Sequence, residues 1–174
     1  ASNDRTIEAS LILTPQEASK VVMPAVQVYP TPQFTNQLLE KAIVPAGFGS
    51  VGELKDLDLK DKIALIQRGP LPTGIQFREK LENAFAKGAV GVILYNHTSG
   101  DYINPSILDP KKNETAAQVA YLPPTLMLSL EDGLLLKAES QKTYSLEVLY
   151  QNLKVIADFS SMGPTPDAAF KPEI

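Results

Sequence analysis

Apolar and polar residues follow two spacings along this chain, one typical of strands and one typical of helices. Residues 90–96 are almost continuously apolar, which predicts a strand covered on both faces. Residues 62–68 are also rich in aliphatic side chains and end at a Gly-Pro pair, which predicts a strand stopped by a turn. Shorter β-prone runs predict further strands at 6–13, 26–29, 41–45, 121–128, 144–150 and 153–159. Pro123 and Pro124 indicate that one of these strands begins at an edge or a bulge of its sheet.

Two segments carry the spacing of amphipathic helices. The first helix is predicted over residues 75–87, with an apolar stripe formed by Phe77, Leu81, Ala84, Phe85 and Gly88. The second is predicted to begin at Ser129, whose hydroxyl can cap the first turn together with Asp132. Its expected buried side consists of Leu130, Leu134, Leu135 and Ala138. Because the first helix leads directly into the strand at 90–96, the predicted fold class is α/β and rich in strands.

Composition narrows the range of partners. The chain has 174 residues and a formal net charge of −4, and its basic residues are scattered, so nucleic acid is not an expected partner. It contains no cysteine, which excludes disulfides, thiol nucleophiles and thiolate metal sites. No apolar run approaches the ~18 residues that a membrane span requires. We therefore expect a globular domain with no membrane span.

A glycine-rich loop offers a first candidate site. Residues Gly47, Gly49 and Gly52 match the spacing of a dinucleotide-binding loop. Such a site needs a helix that opens at the motif, but residues 53–61 leave little room before the next strand. The expected acidic residue after that strand is replaced by Gln67 and Arg68. A glycine-rich turn is the favoured interpretation.

Two further loops suggest chemistry only weakly. His97 is the single histidine, and although Ser99 and Asp101 are close in sequence, a catalytic triad requires convergence in space. The acidic segment that contains Asp56, Asp58 and Asp61 lacks the ligand spacing of a calcium loop. We interpret the first as a loop histidine and the second as a solvated acidic turn.

An ordered set of motifs is more specific. The chain reads Lys62-Ile-Ala-Leu-Ile-Gln-Arg-Gly69, then Phe77-Arg-Glu-Lys80, Asn83-Ala84, Lys87-Gly-Ala89 and Gly91-Val-Ile-Leu-Tyr-Asn96. In order and spacing these motifs resemble the protease-associated (PA) domain over residues 45–140. The resemblance implies a PA-like β-sandwich or open barrel with two flanking helices. Many members have a cysteine after the Arg-Gly pair, whereas this chain continues with Pro70-Leu-Pro-Thr-Gly74.

The end of the chain resembles a second family. The motifs Ser160-Ser-Met-Gly-Pro-Thr165 and Lys171-Pro-Glu-Ile174 are similar to the stretch that precedes the nucleophilic serine of subtilisin-like serine proteases. PA domains occur as insertions in the catalytic domains of such enzymes. The resemblance therefore implies that residues 1–14 are the edge of a catalytic domain, 15–152 an inserted PA domain, and 153–174 the return into the catalytic domain.

Together the two resemblances imply a non-catalytic part of a secreted or cell-wall-associated bacterial serine endopeptidase. No catalytic residue, metal ligand or cofactor is expected within the chain. The implied partners are the parent catalytic domain and protein or peptide substrates, and the expected substrate contacts are Arg68, Gly69, Pro70, Asn96 and His97. An edge strand near Pro123, or the loop at 70–74, could also bind an extended peptide by strand addition. The alternative is a structural spacer or oligomerisation module that binds no substrate.

Overall fold

Four strands come first, and helical segments then alternate with strands, in the part of the chain that the structure describes. The computed structural model describes residues 7–15, 19–34, 38–69, 74–99, 106–108, 112–138 and 144–150. Its strands are β1 (Glu8–Pro15), β2 (Val21–Gln27), β3 (Leu38–Leu39), β4 (Ile43–Pro45), β5 (Ile63–Gln67), β6 (Gly91–Tyr95), β7 (Thr125–Leu128) and β8 (Tyr144–Tyr150). Its helices are α1 (Val51–Leu54), α2 (Phe77–Ala86) and α3 (Leu130–Ala138), with a 3₁₀ turn at Ala116–Val119. The predicted strand-rich α/β class is confirmed.

All eight of these strands form one sheet, in the order β3-β8-β1-β2-β7-β6-β5-β4. Strands β4 to β7 pair with one another in parallel, and we call them the parallel half. Strands β3, β8, β1 and β2 pair antiparallel, and we call them the antiparallel half; β2 joins the two halves by pairing antiparallel with β7. Parallel neighbours need a crossover connection, and α2 supplies the one between β5 and β6.

Both faces of the parallel half are covered. On one face, Leu136 of α3 shares a cluster of buried side chains with Leu65 and Ile93. On the other face, the buried side chains of α1 and α2 share a second cluster with Ile66 and Leu94. Strand β6 is buried at every position, which confirms the prediction of a strand covered on both faces.

One face of the antiparallel half is covered, and the other is partly exposed, in the described part of the chain. Leu11, Met23 and Val148 belong to the first cluster. On the opposite face, Val22 is 58% exposed and Leu149 is 40% exposed, whereas Ile12, which pairs with Val22, is only 9% exposed. Val22 and Leu149 therefore follow the pleat of a half-covered antiparallel sheet, and Ile12 departs from it.

The two predicted helices are present as α2 and α3, but part of the predicted burial is wrong. Leu134 and Leu135 are each 46% exposed and Ala138 is also exposed, whereas Gly133 and Leu136 of α3 are buried. A Cβ at Gly133 would lie 2.1 Å from Cγ of Tyr95, so α3 approaches the sheet most closely at its glycine. This contact fixes the rotation of α3 and turns the adjacent leucine pair outward.

In the stripe predicted for α2, the burial of Phe85 is also wrong, as is that of Gly88, which lies just beyond the helix and is exposed. Phe85 is 46% exposed and packs edge to face against Tyr121, with the ring centroids 5.6 Å apart. Leu81 and Ala84 are fully buried as predicted. The apolar stripe of α2 therefore has the predicted spacing, but its buried part ends earlier than predicted.

Two strand predictions need correction. Strand β7 lies inside the sheet between β2 and β6, so the prediction of an edge strand near Pro123 is wrong. Pro124 is accommodated at the start of β7 because its carbonyl oxygen accepts a hydrogen bond from Val92 N. Strand β2 begins at Val21, whereas the strand was predicted to begin at Val26. The extra residues belong to the strand because they pair with β1.

The first and last described strands are direct neighbours. Strand β8 pairs with β1 over its whole length, from Tyr150 opposite Ala9 to Tyr144 opposite Pro15. The hairpin predicted between 144–150 and 153–159 falls partly outside the described residues, because the structure describes the first strand and not the second. Within the described residues, the neighbours of β8 are β1 and β3.

Candidate functional site

The carboxyl ends of β5 and β6 bring three of the predicted site residues together. Arg68 directly follows β5, and Asn96 and His97 directly follow β6. Because β5 and β6 are adjacent and parallel, their carboxyl ends meet at one edge of the sheet. Asn96 Oδ1 accepts a hydrogen bond from Arg68 Nη1 at 3.2 Å and another from the His97 backbone amide at 2.8 Å. We call Arg68, Asn96 and His97 the strand-end site.

The backbone holds this site in place. Arg68 N donates to Tyr95 O at 2.8 Å, and Asn96 N donates to Leu128 O at 3.2 Å. These bonds extend the parallel pairing by one residue past the ends of the strands. The Asn96 side chain is only 4% exposed, so its amide oxygen is a fixed acceptor for the half-buried Arg68 guanidinium.

His97 has one unsatisfied polar atom. Its Nδ1 is buried and has no hydrogen-bond partner among the described residues. Two residues later, Ser99 Oγ donates to the Glu131 carboxylate on the first turn of α3 at 2.5 Å. That hydrogen bond, together with a backbone hydrogen bond, lowers the pKa of Glu131 below its usual range. Ser99 is therefore engaged with α3, and no contact in the described structure joins it to His97 as a triad would require.

Gly69 has a structural role that is visible in the geometry. Its φ is +120°, which favours glycine, and its carbonyl oxygen accepts a hydrogen bond from Lys80 Nζ at 2.7 Å. Lys80 Nζ also donates to Phe48 O at 2.6 Å and to Gln67 O at 2.8 Å. Three donors of one ammonium group thus join the loop after β4, the end of β5 and the turn that follows it.

The burial of Lys80, which lies near the strand-end site, was not predicted from the sequence. Lys80 is fully buried, and this desolvation lowers its pKa to about 8 against the opposing effect of the Glu53 and Glu79 carboxylates. Its position in α2 could have predicted this burial. Lys80 lies three residues after Phe77 and four before Ala84, which is a core-facing position on an α-helix.

The glycine-rich loop is bonded within the chain. The Glu53 carboxylate accepts hydrogen bonds from Phe48 N, Ser50 N and Ser50 Oγ, and Ser50 Oγ accepts one from Glu53 N. A helix does start here, but α1 has only four residues. The backbone amides that a dinucleotide phosphate would need are thus bound to Glu53. This geometry supports the interpretation as a turn.

The acidic segment before β5 forms ion pairs with lysines. Lys41 Nζ lies 2.8 Å from Asp61 Oδ1, and Lys62 Nζ lies 3.0 Å from Asp58 Oδ2. Asp58 and Asp61 are exposed, as predicted for a solvated turn. Within the described ranges, no group of three or more histidine or acidic side chains could hold a metal ion.

Gly69, Pro70 and the loop at 70–74 are the other predicted site elements. Pro70 and most of the loop at 70–74 lie outside the described residues. Gly69 is buried beneath Lys80 and presents no side chain. The structure therefore brings together Arg68, Asn96 and His97, with Gly69 adjoining them through the backbone. In the described part of the chain, no helix is both long and apolar enough to cross a membrane.

Comparison with protein families gives one match that covers more than half of the chain. The model of the PA domain matches residues 21–136. This range includes β2 to β7, α1, α2, most of α3 and the strand-end site.

Curated relatives of the chain are bacterial proteases. Minor extracellular protease Vpr of Bacillus subtilis is 35% identical over 141 residues, which is 78% of this chain and 16% of the relative. C5a peptidase of Streptococcus pyogenes is 35% identical over 122 residues, which is 67% of this chain and 9% of the relative. The chain thus spans less than a fifth of either relative.

Solved structures with the same fold include two aminopeptidases. The zinc aminopeptidase BSAP from Bacillus subtilis superimposes with a TM-score of 0.60 at 23% identity, over 84% of this chain and 31% of that one. The aminopeptidase from Aneurinibacillus sp. strain AM-1 gives a TM-score of 0.57 at 23% identity, over 82% and 30%. At this identity the similarity establishes the fold alone.

Proposed function

This chain belongs to the PA domain family, and from that premise we propose that it is a non-catalytic domain of a secreted, subtilisin-like bacterial serine endopeptidase. There it guides protein substrates to the active site or controls their access. The observation that carries the proposal is the 35% identity to minor extracellular protease Vpr over 78% of this chain. The subtilisin-like assignment also draws on the resemblance of residues 160–165 to the segment before a catalytic serine.

The pairing of β1 with β8 supports the proposed insertion into a catalytic domain. An inserted domain is tolerated best when its two ends lie close together. Here the start of β1 and the end of β8 are adjacent, with Ala9 opposite Tyr150. In the proposed organisation the chain returns into the catalytic domain at 153–174, and because β1 pairs with β2 within this sheet, we place the first junction before Glu8 instead of at the sequence-based boundary between 14 and 15.

We place substrate contact at the strand-end site. The Arg68 guanidinium is half-buried, and Asn96 fixes its orientation. A fixed guanidinium loses little conformational freedom when it binds, so it suits recognition of a peptide. Gly69 and Pro70 follow Arg68 directly and are proposed to shape the same surface.

The parent enzyme without the inserted domain provides the test. Because Pro15 and Tyr144 are opposite each other in the β1–β8 pairing, residues 16–143 can be replaced by a short glycine-rich turn. We expect kcat/KM for a large protein substrate to fall about tenfold and kcat/KM for a short chromogenic peptide to stay within about twofold. Unchanged activity on both substrates would favour a spacer, and equal loss on both would indicate damage to the catalytic domain.

A point variant tests the same role without removing the domain. Arg68→Gln in the parent enzyme should lower kcat/KM for the protein substrate and leave the short peptide unaffected. Lys55→Gln is the matched control, because it removes the same charge from an exposed residue at the end of α1. Equal effects of the two variants would contradict a role for the strand-end site.

A further inference from the structure

We infer that the strand-end site binds a carboxylate group of an extended peptide, an inference that rests on the proposed contact with substrate. The ligand group is either an acidic side chain or the free carboxyl terminus of the peptide. Three observations carry this inference. They are the lack of a counter-ion for Arg68 among the described residues, the unpartnered ring nitrogen of His97, and the position of the site in the sheet.

Arg68 is a fixed cation without an internal counter-ion in the described structure. Arg78 is paired with Glu82 and Glu114, and two lysines are paired with aspartates. By contrast, the side-chain bond that the described residues provide to Arg68 goes to the neutral amide oxygen of Asn96. A guanidinium has five N–H donors, so most of those of Arg68 are available to a ligand.

The preferred partner of such a group is a planar anion. Guanidinium and carboxylate form two parallel N–H···O bonds, which are stronger than bonds between neutral groups. Asn96 holds one edge of the guanidinium through Nη1 at 3.2 Å and is itself 4% exposed. This arrangement orients the Arg68 fork before a ligand arrives.

His97 adds unmet hydrogen-bonding capacity beside this cation. A buried polar atom without a partner costs about 1–3 kcal/mol, so Nδ1 would be stabilised by a ligand that bonds to it. The backbone amide of His97 donates to Asn96 Oδ1, the same atom that accepts from Arg68 Nη1, so the backbone of His97 adjoins the Arg68–Asn96 pair. When Nδ1 carries a proton, it can donate to a lone pair that a carboxylate oxygen retains after bonding to the Arg68 guanidinium.

The position in the sheet fits a ligand crevice. The segment that follows β6 returns over the second cluster, where Val119 and Leu122 are buried, whereas α3 after β7 lies over the first cluster. Where the connections from neighbouring parallel strands diverge to opposite faces, a crevice opens at their carboxyl ends. Asn96 and His97 lie at the end of β6, beside this divergence.

Binding of three peptides to the 174-residue chain tests the inference. The peptides share one neutral sequence of seven residues. One has a central Gln and an amidated end, one a central Glu and an amidated end, and one a central Gln and a free carboxyl terminus. Affinity is measured by calorimetry, and the Arg68 Nε–H resonance is followed by NMR.

We expect one or both carboxylate peptides to bind at least about tenfold more tightly than the neutral peptide, with an affinity that falls as salt is raised. The Arg68 Nε–H resonance should shift with the carboxylate peptides only. Arg68→Gln should remove the preference, whereas Lys55→Gln should retain it. The tighter carboxylate peptide shows whether a side chain or a chain end is the ligand.

Other outcomes separate this inference from the proposed function. If all three peptides bind equally and Arg68→Gln weakens all of them, the site contacts peptides but the carboxylate inference is wrong. If no peptide binds, both are contradicted. Since the preference and the Arg68 resonance are measured on the unsubstituted chain, the test holds even if the variant does not fold.

Discussion

The parallel and antiparallel halves of the sheet bury their strands in different ways. In the parallel half, Ile93 and Leu94 are consecutive residues of β6, lie on opposite faces and are both almost completely buried. In the antiparallel half, Met23 is 2% exposed while its neighbour Val22 is 58% exposed. Crossover helices cover both faces of a parallel sheet, whereas antiparallel strands can leave one face to solvent.

This difference also separates the chemistry. The strand-end site and the Lys80 ammonium lie in the parallel half, where strand ends meet at one edge of the sheet. The antiparallel half contains the strands by which the chain enters and leaves the described domain. One half therefore provides the proposed recognition site, and the other provides the proposed junction with the catalytic domain.

The largest expected effect tests the burial difference directly. Ile93→Ala and Leu94→Ala should each lower the free energy of unfolding by about 2–5 kcal/mol, because each leaves a cavity in a different cluster. Met23→Ala should cost a similar amount, but Val22→Thr should change stability by less than about 0.5 kcal/mol. Urea unfolding of the four variants provides the measurement. A large loss for Val22→Thr would show that the outer face of the antiparallel half is covered.

A second prediction compares the polar groups that anchor loops in the two halves. Lys80→Met should cost about 2–4 kcal/mol, since three carbonyl groups lose a charged donor. In the antiparallel half, Tyr150 Oη donates to Gln27 Oε1 at 2.7 Å and accepts from Phe34 N at 3.0 Å. Tyr150→Phe should cost about 1–2 kcal/mol, because these bonds are neutral.

Thermal and urea unfolding can rank these two variants. Lys55→Met, at an exposed position, is the control for loss of a lysine charge. Lys80→Met should also alter the amide resonances of Phe48, Gln67 and Gly69, whose carbonyl groups it releases. If Lys80→Met lowered the free energy of unfolding by no more than Lys55→Met, the ammonium group would not be what joins these three segments.

The smallest expected effect is a dependence on acid pH. Burial raises the pKa of Glu53, but hydrogen bonds from Ser50 and Phe48 and the charge of Lys80 have a larger, opposite effect. The net result is a pKa below the usual range of a glutamate. A carboxyl whose pKa is lower in the folded state stabilises the fold above its unfolded pKa and loses that contribution as pH falls through the folded value. Stability should therefore decline less steeply below pH 4.5 in Glu53→Gln than in the unsubstituted chain.

Unfolding in urea between pH 3 and pH 7 measures this slope. Glu8→Gln, which removes an exposed carboxylate from the antiparallel half, is the matched control. An equal change of slope in both variants would show that the acid response does not originate in the loop held by Glu53.

Much of the fold was predictable from local patterns. The continuous apolar run of β6, the stripe that includes Leu81 and Ala84, and the Ser129 cap of α3 all appear in the structure. Arg68, Asn96 and His97 could be named from motif order, since each lies at the end of a predicted strand or directly after it. The family was equally accessible, because its motifs record the spacing of strands and turns.

Other features depended on contacts between distant segments. The exposure of Leu134 and Leu135 follows from the contact of Gly133 with Tyr95, and the interior position of β7 follows from its pairing with β2. The three carbonyl partners of Lys80 come from segments 11 to 32 residues away in sequence. No local pattern contains such distances.

The sequence by itself determined the order of elements, the strand-rich α/β class and the resemblance to the PA domain, because hydrophobic spacing and turn residues act over a few positions. Only the tertiary structure decided which helix face meets the sheet, which strand lies at an edge, and that Arg68 is held by Asn96. These features require side chains from separate segments to fill the same space, so they exist only once the sheet has assembled.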